Sequence, residues 1–207
     1  MKRITKAAAA IVLIALLLAG STIAAAAAQP PAGLKQSQVD FITRIGPLAA
    51  ADMKKNGVCA SLTIAQAILE SSWGTSELAR NGKALFGIRA DSNWKGKTYT
   101  VSTGQSSAGA RYRAYGSWEA SLDDHSVFLR ENKRYAAVIG RKNFRIACWA
   151  IQGAGYATAP NYATELIQLI KTYKLSVFDN GGTAADWLDA LSRQSSCIED
   201  WLRSLCR

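Results

Sequence analysis

Apolar residues recur every three or four positions along much of the chain, the spacing that places side chains on one face of an α-helix. The first such segment runs from Ser37, a candidate N-cap, to Gly57, and Pro47 is expected to kink or divide it. The second, "SLTIAQAILESSWG", is expected to be capped by Ser61 and to end at Gly74. The chain is therefore predicted to be mainly helical, with later helices over residues 117–129, 143–153 and 161–175.

Between Leu85 and Tyr115 the period changes to two, which is the alternation of a β-strand. "TYTV" and "ARYRAY" alternate in this way, and Gly104 and Gly109 mark the connection between them. A small antiparallel hairpin is expected here. Helices and hairpin together predict an α+β fold that is mainly α, in one domain over residues 37–178.

After Phe178 the chain is predicted to leave this domain, so that residues 179–207 form a short linker and an amphipathic helical tail. The apolar positions of the tail fall at alternating steps of three and four. Three interpretations stay open: a helix packed back on the domain, a seam for self-association, or a contact with a membrane surface. A mostly monomeric protein is expected.

The N-terminus has the composition of a secretory signal peptide. Three basic residues precede an unbroken apolar run over residues 7–19, and small residues lead to Ala28. Because the run is short for a membrane span, cleavage near Ala28 is favoured over a retained anchor. Residues 1–28 are thus predicted to be a signal peptide and residues 29–36 a short leader, which places the mature protein in the cell envelope or outside the cell.

The chain is strongly basic, with 25 Lys and Arg residues against 15 acids and a net charge of +10. Cleavage after residue 28 removes three bases and leaves +7. Such a protein suits an anionic partner, namely a cell wall, a membrane or a nucleic acid, and charge alone does not choose among them.

Four cysteines lie beyond the predicted cleavage point: Cys59, Cys148, Cys197 and Cys206. Export permits disulfides, and three full pairings are open. On one straight helix Cys197 and Cys206 stand about 13 Å apart on opposite faces, so a bridge between them needs a broken helix. A Cys59–Cys148 bridge is sterically open. The spacing of the cysteines and of the single histidine indicates no metal site, and no cofactor is predicted.

Glu70 stands out among the acids because it comes near the end of the apolar second helix, one turn after Gln66 and close to Trp73. A carboxyl beside apolar and aromatic surface has a raised pKa, as a general acid near neutral pH requires. Periodicity alone equally allows a solvated glutamate at a helix end. The choice between the two depends on the surrounding motifs.

Other ionisable groups are interpreted as structural or solvent-facing. His125 has no serine or cysteine partner in a readable motif and is interpreted as structural. Glu119 is expected in the first turn of its helix, where an acid complements the helix dipole. Asp123 and Asp124 are expected to be solvated.

Four blocks occur in order along residues 38–176: "SLTIAQAILESSWGTSELA", "ALFGIRA", "YRAYGSWEASLDDHSVFL" and "AGYATAPNYATELIQLIKTY". Together they resemble the bacterial peptidoglycan glucosaminidase family of lysozyme-like hydrolases, glycoside hydrolase family 73. The resemblance implies a lysozyme-like helical domain with a small β-hairpin lobe across a glycan cleft. It also implies peptidoglycan glycan strands as the substrate, cleaved at the β-1,4 bond between N-acetylglucosamine and N-acetylmuramic acid, with no nucleic-acid partner.

The resemblance implies roles for individual residues. Glu70 matches the family's general acid, which protonates the glycosidic oxygen, and Tyr156 matches an active-site tyrosine. Positions that bind substrate in or behind the cleft wall are expected at Gln66, Trp73, Phe86 and Tyr162. Core packing is the alternative for each of the aromatic residues.

The chain departs from the family pattern in the hairpin, where many members carry a second glutamate. No acid occurs from Thr98 to Trp118, and Gln105 is the nearest match, as a further substrate-binding candidate. Glycosidases generally use two carboxylates. Three outcomes stay open: attack by the substrate's own 2-acetamido group, recruitment of another acid such as Asp91, or a weak or inactive wall-binding module. A muramidase or lytic transglycosylase on the same fold is the enzymatic alternative.

Overall fold

The computed structural model describes residues 33–101 and 109–205, with the side chains of residues 33–101 and 109–194. Seven α-helices occur in these ranges: α1 (Gln36–Asn56), α2 (Ala60–Ser71), α3 (Glu77–Asn81), α4 (Trp118–Glu131), α5 (Phe144–Gly153), α6 (Tyr162–Thr172) and α7 (Ala184–Leu205). The other elements are the antiparallel strands β1 (Thr98–Val101) and β2 (Ala110–Arg113) and two 3-10 segments, Lys133–Tyr135 and Leu175–Asn180. The prediction of a mainly helical α+β fold with a small hairpin is confirmed.

Helix α2 lies at the centre of the domain because it is largely apolar on all sides, as expected of a buried helix. Every residue from Ala60 to Ile68 is buried. Helices α1, α5 and α6 and the 3-10 segment Leu175–Asn180 pack around it. This packing fixes the C-terminal end of α2, where Glu70 lies.

The first two helices begin differently from the sequence prediction. Helix α1 begins after Lys35, so Ser37 is not its N-cap. Helix α2 begins after Cys59, and its first turn is capped from elsewhere in the chain. Asp179 accepts hydrogen bonds from Ser61 N at 2.8 Å and from Ser61 Oγ at 2.7 Å. The prediction of Ser61 as the N-cap is wrong because the acceptor lies 118 positions away, where periodicity carries no signal.

Helix α1 continues through Pro47 to Asn56, so the expected division of this helix does not occur. A Cβ atom on Gly46 would lie 2.3 Å from the ring of Phe178. The missing side chain therefore lets this ring pack directly against α1. Gly57, with φ +76°, ends the helix as predicted.

A partly buried ion pair fastens the β-hairpin to α4. Arg113 Nη1 donates to both Asp124 carboxylate oxygens at 3.1 Å, and the Tyr115 hydroxyl donates to Asp124 Oδ2 at 2.7 Å. The side chains of Arg113 and Asp124 are 13% and 19% exposed. The expectation of a solvated Asp124 is wrong, because its cationic partner comes from the hairpin. Asp123 stays accessible and pairs with an α1 lysine, and Glu119 lies in the first turn of α4 as predicted.

The first half of α7 packs back on the domain. Trp187 is buried, and its indole N–H donates to the Tyr173 carbonyl at 2.6 Å. Leu191, one turn further, is also buried. Packing on the domain thus describes residues 184–194, while self-association and membrane contact through the rest of the tail stay predictions. None of the helices in the described ranges is both long and apolar enough to cross a membrane.

Cys59 and Cys148 are free thiols in the core, and burial raises the pKa of each to about 12. The side chain of Cys197 and all of Cys206 lie outside the described residues, as do the predicted signal peptide over residues 1–28 and half of the leader. The Cys59–Cys148 bridge that the sequence left open is not formed, whereas the cleavage point, the domain boundaries and any pairing of Cys197 and Cys206 stay predictions.

Candidate active site

A cleft of about 1000 Å³ lies between the helical body and the hairpin. The end of α2, the chain after α3, strand β2, helix α4 and the α5–α6 loop all contribute to its walls. It is lined by Glu70, Phe86, Gly87, Ile88, Arg89, Asp91, Tyr112, Phe128, Tyr135, Tyr156, Ala157 and Thr158. A concave surface with aromatic walls and a few convergent polar groups is the usual form of a ligand-binding site.

Glu70 faces the cleft because α2 ends immediately after it. Ser72, Trp73 and Gly74 all have left-handed backbone, with φ of +50°, +61° and +74°. The Gly74 N–H donates to Ser71 Oγ at 2.7 Å, which holds this turn closed. A Cβ atom on Gly74 would lie 2.6 Å from a tryptophan ring of α4, so glycine is required there. The chain turns sharply away and leaves the Glu70 carboxyl at the cleft.

Two buried side chains orient the Glu70 carboxyl. The Tyr162 hydroxyl donates to Glu70 Oε1 at 2.7 Å, and Gln66 Nε2 donates to the Tyr162 hydroxyl oxygen at 3.1 Å. Because an amide nitrogen only donates, Gln66 leaves the hydroxyl hydrogen of Tyr162 directed at Glu70. Glu70 Oε2 therefore remains for a proton and for a ligand.

The environment of Glu70 raises its pKa. The side chain is accessible from the cleft, but protein atoms enclose the rest of the carboxyl, and this desolvation raises the pKa. The hydrogen bond from Tyr162 lowers the pKa by less. A carboxyl with a raised pKa keeps its proton to higher pH, which is the state that a general acid needs.

Replacing Tyr162 with Phe is expected to move the alkaline limb of the pH–activity profile to higher pH. The hydroxyl stabilises ionised Glu70, so its loss raises the pKa of Glu70 further. We also expect kcat to fall by about 10-fold to 100-fold, because Oε1 is no longer held. The profile of kcat/KM against pH measures both effects. Tyr173→Phe is the control, and a limb that stays in place or moves to lower pH would contradict this role of Tyr162.

Tyr156 lies in the same cleft as Glu70. Its hydroxyl donates to the Phe86 carbonyl at 3.3 Å, and its ring stacks on Tyr162 with centroids 5.9 Å apart. Burial raises the pKa of Tyr156 well above its ordinary value, so the phenol stays a hydrogen-bond donor. The His125 ring stacks on the Phe86 ring, with centroids 3.9 Å apart. Burial lowers the pKa of His125 to about 3. The neutral imidazole thus supports the cleft wall from behind.

Arg134 holds the backbone that precedes Tyr156. Its Nε donates to the Ala154 carbonyl at 3.0 Å, and its Nη2 donates to the Gly155 carbonyl. The guanidinium also lies 4.8 Å from the centre of the Tyr135 ring, which lines the cleft. Sequence reasoning missed this residue because a single arginine 20 positions before a loop belongs to no readable pattern.

Replacing Arg134 with Met is expected to lower kcat by about 10-fold, because Tyr156 is no longer held in one position. KM should change little, since Arg134 does not line the cleft. Steady-state kinetics on peptidoglycan fragments separate the two constants, and Arg134→Lys should restore part of kcat. Arg141→Met is the matched control, because Arg141 also donates to a backbone carbonyl but in a surface turn. A loss confined to KM would argue against positioning of Tyr156.

The structure brings some predicted site residues together and separates others. Gln66 and Tyr162 are 0% and 2% exposed, so they do not form the surface of the cleft. Tyr162 donates to Glu70, and Gln66 donates to Tyr162. Trp73 packs edge-on against two aromatic rings, with centroids 5.0 and 6.1 Å away, and is not part of the described lining. Gln105 lies outside the described residues. Substrate binding by Trp73 and Gln105 stays a prediction.

Asp91 is the second acid in the described lining of the cleft. Its Oδ1 accepts from the backbone N–H groups of Asn93 and Trp94 at 3.0 Å, and its Oδ2 lies 4.0 Å from Arg113 Nη2. These contacts hold the carboxylate within the loop before β1. The part of the chain that the structure describes contains no group of three His, Cys, Asp or Glu side chains placed to bind a metal ion.

Residues 46–175 match the family model "Glucosaminidase: Mannosyl-glycoprotein endo-beta-N-acetylglucosaminidase". The chain belongs to the glucosaminidase family. This glucosaminidase-family protein is 35% identical over 172 residues to the "Exo-glucosaminidase LytG" of Bacillus subtilis (strain 168). It is 36% identical over 153 residues to the "Peptidoglycan hydrolase FlgJ" of Salmonella typhimurium. The alignments cover 77% and 69% of this chain but only 60% and 48% of those two relatives.

Solved structures agree with the family assignment. The glucosaminidase-family protein resembles the glycoside hydrolase domain of Salmonella typhimurium FlgJ with a TM-score of 0.61 and 32% identity, over 79% of this chain and 98% of that domain. The catalytic domain of the autolysin Auto from Listeria monocytogenes gives a TM-score of 0.60 and 32% identity, over 71% and 90%. These similarities confirm the predicted lysozyme-like fold.

Proposed function

We propose that the protein is a secreted peptidoglycan hydrolase that cleaves the β-1,4 bond between N-acetylglucosamine and N-acetylmuramic acid, with Glu70 as general acid. The observation that carries the proposal is the Glu70 carboxyl, which has a raised pKa, opens on an aromatic cleft and is oriented by Tyr162. The name of FlgJ supports peptidoglycan as the substrate, and the name of LytG supports glucosaminidase activity. The net charge of +7 that remains after cleavage at residue 28 suits an anionic cell wall.

In the first step Glu70 gives its proton to the glycosidic oxygen while the bond from that oxygen to the anomeric carbon breaks. Tyr162 holds Oε1, so Oε2 carries the proton that is transferred. The leaving sugar departs as a neutral alcohol and Glu70 becomes a carboxylate. Its pKa then favours recovery of a proton in the second step.

The anomeric carbon needs a nucleophile as this bond breaks. We favour the 2-acetamido oxygen of the substrate, which bonds to the anomeric carbon in the first step and forms an oxazolinium ion. In the second step water attacks the anomeric carbon, the bond to the acetamido oxygen breaks and Glu70 takes up the proton that water releases. Tyr156, a protonated donor in the same cleft, is suited to hold the acetamido group. Asp91 is the alternative nucleophile or base. Its oxygens already accept two backbone hydrogen bonds, which supports the acetamido route.

A muramidase or lytic transglycosylase is the second candidate, because it would use the same acid. One observation favours it: the "Probable N-acetylmuramidase" of Lactococcus lactis is 35% identical over 158 residues. Mass spectrometry of digested muropeptides distinguishes the reactions. Reducing N-acetylglucosamine ends support the proposal, reducing N-acetylmuramic acid ends indicate a muramidase, and 1,6-anhydro ends indicate a lytic enzyme. A wild-type protein that binds purified peptidoglycan without clearing it in a zymogram would be a wall-binding module.

A further inference from the structure

Arg89 is the positively charged residue in the described lining of the cleft. Its side chain is exposed, and its guanidinium carbon lies 5.0 Å from the centre of the Tyr112 ring in the same wall. The backbones of Arg89 and Tyr112 also form an isolated β-bridge. The contacts with Tyr112 therefore hold the Arg89 guanidinium at the wall of the cleft.

Arg89 has no carboxylate partner among the described residues. The ion pairs in this part of the chain join other groups, and Arg113 is the cation that faces both Asp91 and Asp124. A guanidinium that lines a cleft without an internal counter-ion favours an anionic ligand, and its planar fork matches a carboxylate.

Arg89 and Glu70 line the same cleft, and the Glu70 carboxyl is oriented by the Tyr162 hydroxyl. Arg89 is therefore available to contact a substituent of a sugar bound in this cleft.

We propose that Arg89 binds a carboxylate carried by the N-acetylmuramic acid unit and so distinguishes this sugar from N-acetylglucosamine. The inference rests on the proposed function. The two sugars differ by a lactyl ether, whose carboxyl is free in peptide-free strands and joined to a peptide stem in the intact wall. The stem carries further carboxylates. An uncharged glycan of N-acetylglucosamine alone has none of these groups.

Two pairs of substrates test the proposal. The first pair is peptide-free glycan strands before and after their lactyl carboxyls are converted to methylamides, and the second is stem-bearing strands before and after the same amidation. We expect the wild-type kcat/KM to be about 10-fold to 100-fold higher on the charged member, the size of one charge-assisted hydrogen bond. Arg89→Gln should remove this preference by lowering only the rate on charged strands. Arg89→Lys should keep part of the preference.

Arg111→Gln is the matched control, because Arg111 is an exposed arginine of β2 that is not part of the described lining. It should leave the preference intact. A preference confined to the stem-bearing pair and lost in Arg89→Gln assigns the carboxylate to the peptide stem. A full preference retained in Arg89→Gln, an equal loss on all strands, or a wild type indifferent to amidation overturns the inference. A wild type that cuts none of the strands overturns the proposed function and the inference with it.

Discussion

Replacing Glu70 with Gln is expected to lower kcat on peptidoglycan strands by about 10²-fold to 10⁴-fold, the usual contribution of a general acid. Glutamine has the same shape and still accepts from Tyr162, but it has no proton to give to the leaving oxygen. KM should change little, since the aromatic walls are untouched. Release of reducing ends, followed over time with wild type and variant at equal concentrations, measures the loss.

Glu70→Gln is also expected to change how the melting temperature depends on pH. The raised pKa of Glu70 means that folding favours its protonated form. This contribution is complete below the pKa of the unfolded chain and is lost as pH rises through the folded pKa. Above that pH the wild type carries a charge in a poorly solvated site and the glutamine variant does not. The melting temperature of Glu70→Gln should therefore equal or exceed that of the wild type at neutral pH, and the advantage should vanish in acid.

Glu77→Gln is the control for this experiment. Glu77 is an exposed acid on α3 whose Oε1 also accepts from a tyrosine hydroxyl, that of Tyr99, at 2.8 Å. Its replacement should leave kcat unchanged. A Glu70→Gln variant that retains wild-type kcat would remove Glu70 from the mechanism, whereas a poorly folded variant would show itself by a lowered melting temperature.

Replacing Asp124 with Ala is expected to destabilise the domain by about 1–3 kcal/mol, the cost of leaving the hydrogen-bonding partners of a partly buried carboxylate unsatisfied. The Arg113 guanidinium lies 4.6 Å from the Trp94 ring and 5.5 Å from the Phe128 ring, where water cannot replace the lost carboxylate well. Because the hairpin carries Tyr112 in the cleft wall, activity should fall with the loss of this anchor. Urea denaturation followed by circular dichroism measures the free energy of unfolding.

Asp123→Ala is the matched control, since Asp123 is the preceding residue of the same helix and forms an exposed ion pair with Lys55. Its removal should cost less than about 1 kcal/mol. The double variant Arg113→Met/Asp124→Leu should recover part of the stability, because apolar residues of similar size replace the pair. Equal effects of Asp123→Ala and Asp124→Ala would show that the Arg113–Asp124 pair does not anchor the hairpin.

Local features of the sequence predicted much of the fold. The helical periodicity, the Asn56-Gly57 stop and the alternation of "TYTV" and "ARYRAY" gave the elements in the right order. Errors occurred where a distant residue decides the local structure. Ser61 is not the cap of α2 because Asp179 supplies the acceptor, and Asp124 is not solvated because Arg113 reaches it from the hairpin.

Part of the candidate site was also predictable from local motifs of the sequence. Glu70, Phe86 and Tyr156 were expected in the cleft from the motifs around them, and they line it. Gln66 and Tyr162 were expected among the residues in or behind the cleft wall, and the structure places both behind it; their part in substrate binding stays a prediction. The roles of Arg89 and Arg134 had no signal in the sequence, because each depends on the position of a side chain relative to another segment of the backbone.

The sequence by itself determined the class of fold, the family and the identity of the candidate acid, because periodicity and short motifs are local properties of the chain. Only the tertiary structure decided how that acid is prepared for its proposed task. The bonds that orient Glu70 join residues 92 and 96 positions apart, and its desolvation comes from several elements at once. Such contacts form only when the packed helices bring distant segments together, so no pattern along the chain records them.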